Sequence, residues 1–551
     1  MGPPGAGRPH VTNRCQRHFS LIYVLPFMGE SLHRIFSSVQ KWFLGKFPSQ
    51  VTALADTVVK ATIQVYEEVS QKMLPTPTKS HYTFNLRDLS KVHQGICLCT
   101  RNSLPVAEDL MKCWAHECQR VFQDRLVNNE DVQWFAELMQ RTLEANFKKQ
   151  WRILIKSEPL IFCDFVDSKQ PYYQEVLDHQ ALADALQTYL MDYNQMAKRV
   201  MELVLFLSAV QHICRIVRVL KTPLGNALLV GVGGSGRKSL ATLATFAAEY
   251  ESFQIEISKS YSTMDWHDDI KRLLMRVGGN AKEVAFLLAD TQIPKETFLE
   301  DASSLLNNGE VPNLFNAEDK TQILEVCTAP AQAAGRQGQA EVFAFFTEQC
   351  RKNMHLILAL SPIGEAFRRR VRMFPAIVNC CTIDWFMEWP EAALRSVADN
   401  FLHKVELSED IFGGVVSICV DMQTSVIQLA ERFNKEVQRH YYVTPTSYLE
   451  LITAFKDVLF SKRTEVSTAK NRYDEGLDKL ASTERQGKTM SAELEELKPV
   501  LKKTSADTEN LMVVIEKKQE EATATAAVVS KEEESASAQA EEARAMKEEC
   551  Q

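Results

Sequence analysis

The 551-residue sequence lacks an excess of positive charge, an unbroken apolar run and a metal-binding cysteine pattern. Lys and Arg number 63 against 71 Asp and Glu, a formal charge of −8. No chain-wide basic surface can therefore neutralise a phosphate backbone, which excludes nucleic acid as a general partner. The most apolar stretch, Met201 to Leu220, is interrupted by His212, Arg215 and Arg218, residues a bilayer penalises heavily. It reads as an amphipathic core helix, with no membrane role. No basic segment followed by an apolar one opens the chain, so no secretory signal is read. Of the 13 cysteines, the close pairs Cys97/Cys99 and Cys380/Cys381 lack the CxxC or His spacing of a zinc site. Free buried thiols in a reducing compartment are expected instead.

What is present is globular: 45% hydrophobic and 24% charged residues, enough for roughly two to four domains, each with its own core. Long amphipathic patterns run from about Arg120 to Thr222. Three apolar runs follow: Asn226 to Val230 into a glycine cluster, Val284 to Ala289 into Asp290, and Leu356 to Leu360 into Ser361. Three buried strands separated by helical segments, each delivering a polar group at its C-terminal tip, predict an α/β parallel sheet with one site along that edge. After Tyr448 glycine and aromatics thin out. Tyr473, Leu480, Leu494, Leu501, Ile515 and Val529 then fall at multiples of seven, with Leu497 and Leu511 in complementary positions, the seam of a coiled-coil helix. It weakens beyond Val529, where Ala536 and Ala543 carry the register.

The glycine cluster is Gly231-Val232-Gly233-Gly234-Ser235-Gly236-Arg237-Lys238-Ser239. Between a strand and a helix, glycines let successive backbone N–H groups point inward, and the helix N-terminus adds positive potential, the requirements of a phosphate-binding P-loop. Arg237 stands where the usual lysine belongs and Lys238 where the Mg²⁺-binding hydroxyl belongs, which displaces Ser239 by one place. A guanidinium clamps phosphate but is not equivalent to a compact ammonium, so binding survives this better than catalysis. Asp290 and Ser239 are the candidate Mg²⁺ contacts, and Ser361 a candidate γ-phosphate sensor. The residue after Asp290 is Thr291, which cannot act as a general base at neutral pH, and Gln292 is assigned a surface role. Slow or absent turnover is expected, and no residue is assigned a catalytic role. The arginine cluster Phe367-Arg368-Arg369-Arg370-Val371-Arg372 reads either as a solvated helix end or as arginine fingers reaching a neighbour's nucleotide.

Gly231 to Leu240, Leu305 to Phe315 (LLNNGEVPNLF), Ser361 to Phe386 (SPIGEAFRRRVRMFPAIVNCCTIDWF) and Tyr441 to Leu451 (YYVTPTSYLEL) closely resemble the fourth AAA+ module of axonemal dynein heavy chains, nearest the inner-arm, single-headed type. Gly2 to Phe19 and Leu74 to Gln94 resemble the end of the third module and its lid, and Leu494 to Leu501 (LEELKPVL) the early stalk helix. The resemblance implies an AAA+ P-loop module, a parallel sheet with helices and a helical lid. It places the end and lid of a third module in residues 1–105, a helical connection in 106–155 and the large α/β subdomain in 156–395. The small helical subdomain falls in 396–462 and the first stalk helix in 463–551.

On the same resemblance, Gly2 to Arg8 is a turn and not a second P-loop. Arg14 or Arg17 would be a finger for a second module, Arg87 a lid arginine facing a third module's nucleotide, and Arg368, Arg370 or Arg372 fingers for that same site. The implied cofactors are ATP or ADP with Mg²⁺. The implied partners are the remaining AAA+ modules of a dynein ring, intermediate and light chains, and a microtubule gripped by a stalk tip outside this sequence. The implied location is cytoplasm, cytoskeleton and ciliary axoneme, with the chain expected to be a piece or short isoform of the parent motor. A non-motor coiled-coil interaction protein with a structural P-loop is the competing reading.

Overall fold

The computed structural model of the chain describes residues 11–25, 27, 29–166 and 172–548. The Gly2 to Arg8 turn lies outside the described residues. The chain divides into two units, Met1–Ala454 and Phe455–Gln551.

The first unit begins with helices that bury one stripe each. In Ala55–Lys72 the buried positions Ala55, Val58, Thr62, Val65 and Val69 recur every three or four residues, the spacing of a helix face. They share a core with Ile96, Trp114, Phe122 and Phe135, and the Trp114 indole N–H donates to Thr62 Oγ1 at 3.0 Å. Asn85 caps Leu86–Ile96 in a reciprocal box with Asp88, satisfying N–H groups the helix leaves open.

An antiparallel hairpin, β1 (Phe162–Cys163) and β2 (Gln174–Glu175), leads into the larger sheet. Its strands are β3 (Ala227–Val230), β4 (Glu251–Gln254), β5 (Val284–Ala289), β6 (Met354–Leu360) and β7 (Thr382–Trp385), all parallel in the order β4-β5-β6-β3-β7. Period-two alternation splits each central strand between two cores. Leu228, Val230, Phe286, Leu288, Leu356 and Leu358 face one, and Ala227, Leu229, Ala285, Leu287, Ile357 and Ala359 face the other. With both faces covered, β3, β5 and β6 are buried throughout, and they read in sequence as continuous apolar runs. Parallel strands put the tips of β3, β5 and β6 on one edge, and β3 lies where the chain reverses its direction across the sheet, the usual place for a ligand.

The helix expected from Met201 starts only at Leu207 and ends at Lys221. Met201, Leu203 and Leu205 instead pack on the second core as alternate residues of non-helical backbone, a period of two in place of 3.6. The three polar residues that interrupt this apolar helix are each paired. Arg218 Nε donates to Glu117 at 2.9 Å, His212 lies 2.7 Å from Asp384, and Arg215 Nη1 donates to Asp384 at 2.9 Å. Glu117 belongs to the preceding helical region, so the Arg218 pair ties the two halves of the unit together, while the pairs with Asp384 fix the helix to β7. All 12 cysteines among the described residues are free, and nine of them are buried, as expected of thiols that act as small hydrophobes.

Glu409–Val437 is long and apolar enough to cross a bilayer by length and composition. It packs instead on the helix Glu391–His403, burying Val416, Cys419 and Val420. The last helix, Pro445–Glu548, starts within the first unit and makes up all that is described of the second, continuing through Pro499. Its heptad seam is exposed along its length, from Leu480 at 70% to Ile515 at 50%.

Candidate nucleotide site

The turn after β3 is built from backbone. Gly231 N–H donates to Leu360 O at 3.2 Å, and Phe386 N–H donates to Val230 O at 2.7 Å, which pins the turn to the neighbouring strands. Gly234 (φ +78°) and Gly236 (φ +85°) adopt left-handed backbone, which side chains disfavour. Gly236 caps Arg237–Ala247 with no side-chain hydrogen bond, leaving the first-turn N–H groups of an 11-residue helix for an anion. A Cβ on Gly234 would lie 1.7 Å from Thr446 Oγ1, so the first turn of the helix Pro445–Glu548 sits directly on the phosphate loop.

Two polar side-chain atoms of the loop residues have no hydrogen-bond partner: Ser235 Oγ and Arg237 Nη1, both buried. An unpaired buried donor costs about 1–3 kcal/mol, and phosphate oxygens would satisfy both. The residues present therefore fit a nucleotide phosphate. Arg237 Nη1 lies 4.0 Å from Asp290 Oδ2. Burial pulls the Arg237 pKa down against the opposing pull of Asp290, and burial pushes Asp290 up against its cationic neighbours.

The other predicted residues meet at the strand tips. Asp290 Oδ2 accepts the Ser361 backbone N–H. The Ser361 hydroxyl accepts from Ile363 N at 3.4 Å, so the backbone of Ser361, and not its hydroxyl, holds the acid. Asp290 Oδ1 accepts from Arg370 Nη1 at 2.9 Å. Arg370 Nε reaches Glu296 at 3.3 Å, as does Arg369 Nη2 at 3.2 Å. The outward reach expected of Arg370 is thus replaced by an inward ion pair with its own module's carboxylate, on a side chain only 12% exposed. Sequence reasoning missed this because the partners are 80 residues apart. Arg368 is half-buried and Arg372 exposed on the same short helix, Ala366–Met373. Lys238 Nζ donates to Thr291 Oγ1 at 3.3 Å. Gln292 is buried, with its amide donating to Ile255 O at 2.6 Å and its carbonyl accepting Ala289 N–H at 2.9 Å. It braces β5, which corrects the expected surface role.

A P-loop magnesium ion is held by the hydroxyl after the lysine and by a strand-end acid. Here Lys238 fills the first position, Arg370 and the Ser361 N–H engage the second, and Ser239 is one place along the helix. The donor set does not fit the Mg²⁺ expected on Asp290 and Ser239. Arg14 and Arg17 are exposed, with Arg17 Nε 3.2 Å from His18 Nε2. Arg87 is exposed and donates to Cys380 Sγ at 3.5 Å.

Residues 201–458 match the family described as P-loop containing dynein motor region D4, and residues 38–132 match the dynein heavy chain ATPase lid domain. Mouse dynein axonemal heavy chain 3 is 44% identical over 523 residues, covering 92% of this chain and 13% of that protein. The chain belongs to the dynein heavy chain family. Mouse dynein axonemal heavy chain 1 is 42% identical over 92% of the chain, and human dynein axonemal heavy chain 6 is 43% identical over 91%. The chain spans 12–13% of the length of these relatives. The dynein D4 match contains the whole phosphate loop, Asp290 and Ser361, and the sheet around them is that of an AAA+ P-loop module. The lid match runs past residue 105, through the helix Ala107–Cys118, as far as residue 132. A closed-state reconstruction of Hsp104 with ATPγS and FITC casein aligns over 73% of this chain and 60% of its own at 13% identity and a TM-score of 0.25, too loose a likeness to carry an argument.

Proposed function

We propose that this dynein module binds ATP or ADP at Gly231–Ser239 and serves as a regulatory, weakly hydrolysing site in a minus-end-directed microtubule motor of cilia. The observation that carries the reading is a pair of buried donors without a hydrogen bond, Ser235 Oγ and Arg237 Nη1, on a glycine turn at a helix N-terminus. Low turnover rests on Thr291, the residue after Asp290, whose hydroxyl accepts from Lys238. Loss of a general base typically removes about 10²–10⁴-fold in rate.

The coupling device is the first turn of Pro445–Glu548. Thr446 lies on Gly234, and Tyr448 OH donates to Leu394 O at 2.9 Å. Nucleotide that shifts the phosphate loop pushes on the start of the helix that becomes the stalk. In the parent motor the module works beside the other AAA+ modules of the ring, with intermediate and light chains, in the axoneme. Arg368 and Arg372 address the neighbouring module's nucleotide, and Arg14, Arg17 and Arg87 address sites built mostly by residues beyond this sequence. Titration of fluorescent ADP into the purified chain and an Arg237→Ala variant tests the site. Loss of a charge-assisted phosphate contact of about 1.5–3 kcal/mol weakens binding at least roughly tenfold, and equal affinities would remove Arg237 from the account. The exposed heptad seam favours the second reading, a coiled-coil interaction protein with a structural P-loop, and absence of any nucleotide binding would select it.

A further inference from the structure

We infer that nucleotide binding at this site needs no divalent metal, because Lys238 and Arg370 supply as fixed cations the charge that Mg²⁺ brings to other P-loops. The inference rests on the nucleotide-binding reading and concerns what balances the phosphates.

Both places where a metal would be held are committed to cationic side chains. Lys238 replaces the ligand hydroxyl in the first turn of Arg237–Ala247, and its ammonium reaches Thr291 beside the acid. Arg370 takes Asp290 Oδ1 at 2.9 Å and is held in place from its other edge by Glu296 at 3.3 Å. The remaining oxygen, Oδ2, accepts the Ser361 N–H. Mg²⁺ requires near-ideal octahedral oxygen ligation and gives up its water reluctantly. To seat it on Asp290, the chain must break the Arg370 pair and place a dication beside Arg237 and Arg370, with the Lys238 ammonium on the next residue, Thr291. A phosphate chain meets the opposite situation. Those three cations stand against two carboxylates, Asp290 and Glu296, which leaves the strand tip net positive, and the partly buried setting of Arg237 and Arg370 strengthens their attraction for an anion. Guanidinium groups stay charged at any accessible pH, so this charge is built in, where a metal would have to be recruited.

The test is titration of N-methylanthraniloyl-ADP into the full chain in excess MgCl₂ and again in excess EDTA. Dissociation constants within about threefold of each other are expected, and tightening by Mg²⁺ beyond about threefold overturns the inference. Binding in neither buffer overturns the nucleotide reading itself, a distinguishable result. A Lys238→Ser/Arg370→Gln variant, its fold checked by circular dichroism, returns a hydroxyl to the ligand position and releases Asp290. It should gain a Mg²⁺ dependence of about tenfold or more, and a folded variant without that gain overturns the roles given to Lys238 and Arg370. If the variant does not fold, the two wild-type titrations decide the question alone.

Discussion

Arg370 and Gly234 mark the two ends of what a residue reveals by itself. The glycines of the phosphate loop were legible because their need is local: Gly234 and Gly236 hold positive φ in the short span between strand and helix. Alanine at Gly234 would combine left-handed strain with a clash against Thr446. We expect Gly234→Ala to lose about 1–3 kcal/mol of stability and to bind ADP more weakly, as read by denaturant unfolding and titration. Arg370 and Gln292 were not legible, because their roles depend on which oxygen a distant carboxylate or carbonyl presents. Buried histidines give a pH prediction of the same local kind. Burial pulls His81 down to about 4 and His93 and His116 to about 3. The unfolded chain, with histidines near 6.5, binds more protons than the native one between those values, so stability rises with pH across that window. The melting temperature should fall steadily as pH is lowered from about 6.5 towards 4. A melting temperature that stays flat over that interval would show these rings to be accessible to protons in the fold.

Elements were readable in proportion to their burial. The strands β3, β5 and β6 announced themselves as apolar runs because both sheet faces are covered. The strand β4, half-exposed along its length, and the four-residue β7 carry no such run, and both were missed at the sheet's edges. A helix was expected over Met201 to Leu220 and forms only over Leu207–Lys221, and the partners of its charges were not foreseen. Burial works to raise the Glu117 pKa, yet Arg218 with its charge and hydrogen bonds holds it down to about 2. Removing one member of such a buried pair leaves the other uncompensated. Glu117→Ala should therefore cost about 3–5 kcal/mol, measured by urea unfolding, and should loosen the helical region from the sheet. A loss below about 1 kcal/mol, the worth of a surface pair, would show that this contact does not join the two halves.

On the scale of the whole chain, the composition shift after Tyr448 foretold a change of architecture, and a single helix from Pro445 to Glu548 delivers it. Its start was harder to place, because the turn that rests on Gly234 and the long segment that follows are one unbroken helix from Pro445, where the expected boundary was residue 463. A long helix whose apolar seam is exposed lacks the tertiary burial that stabilises most helices. Amides of residues 463–548 should exchange with solvent far faster than those of β5 and β6 in hydrogen-exchange mass spectrometry, and equal protection would mean that the seam is already covered. The account as a whole depends on a loop that holds nucleotide and scarcely cleaves it. The most direct measurement is a single-turnover assay, with excess chain mixed with labelled ATP, bound nucleotide recovered and its identity read over time. The account predicts retention on the protein with ATP still largely intact after many minutes. Failure to retain nucleotide, or conversion to ADP at the 1–10³ per second typical of enzymes, would contradict it.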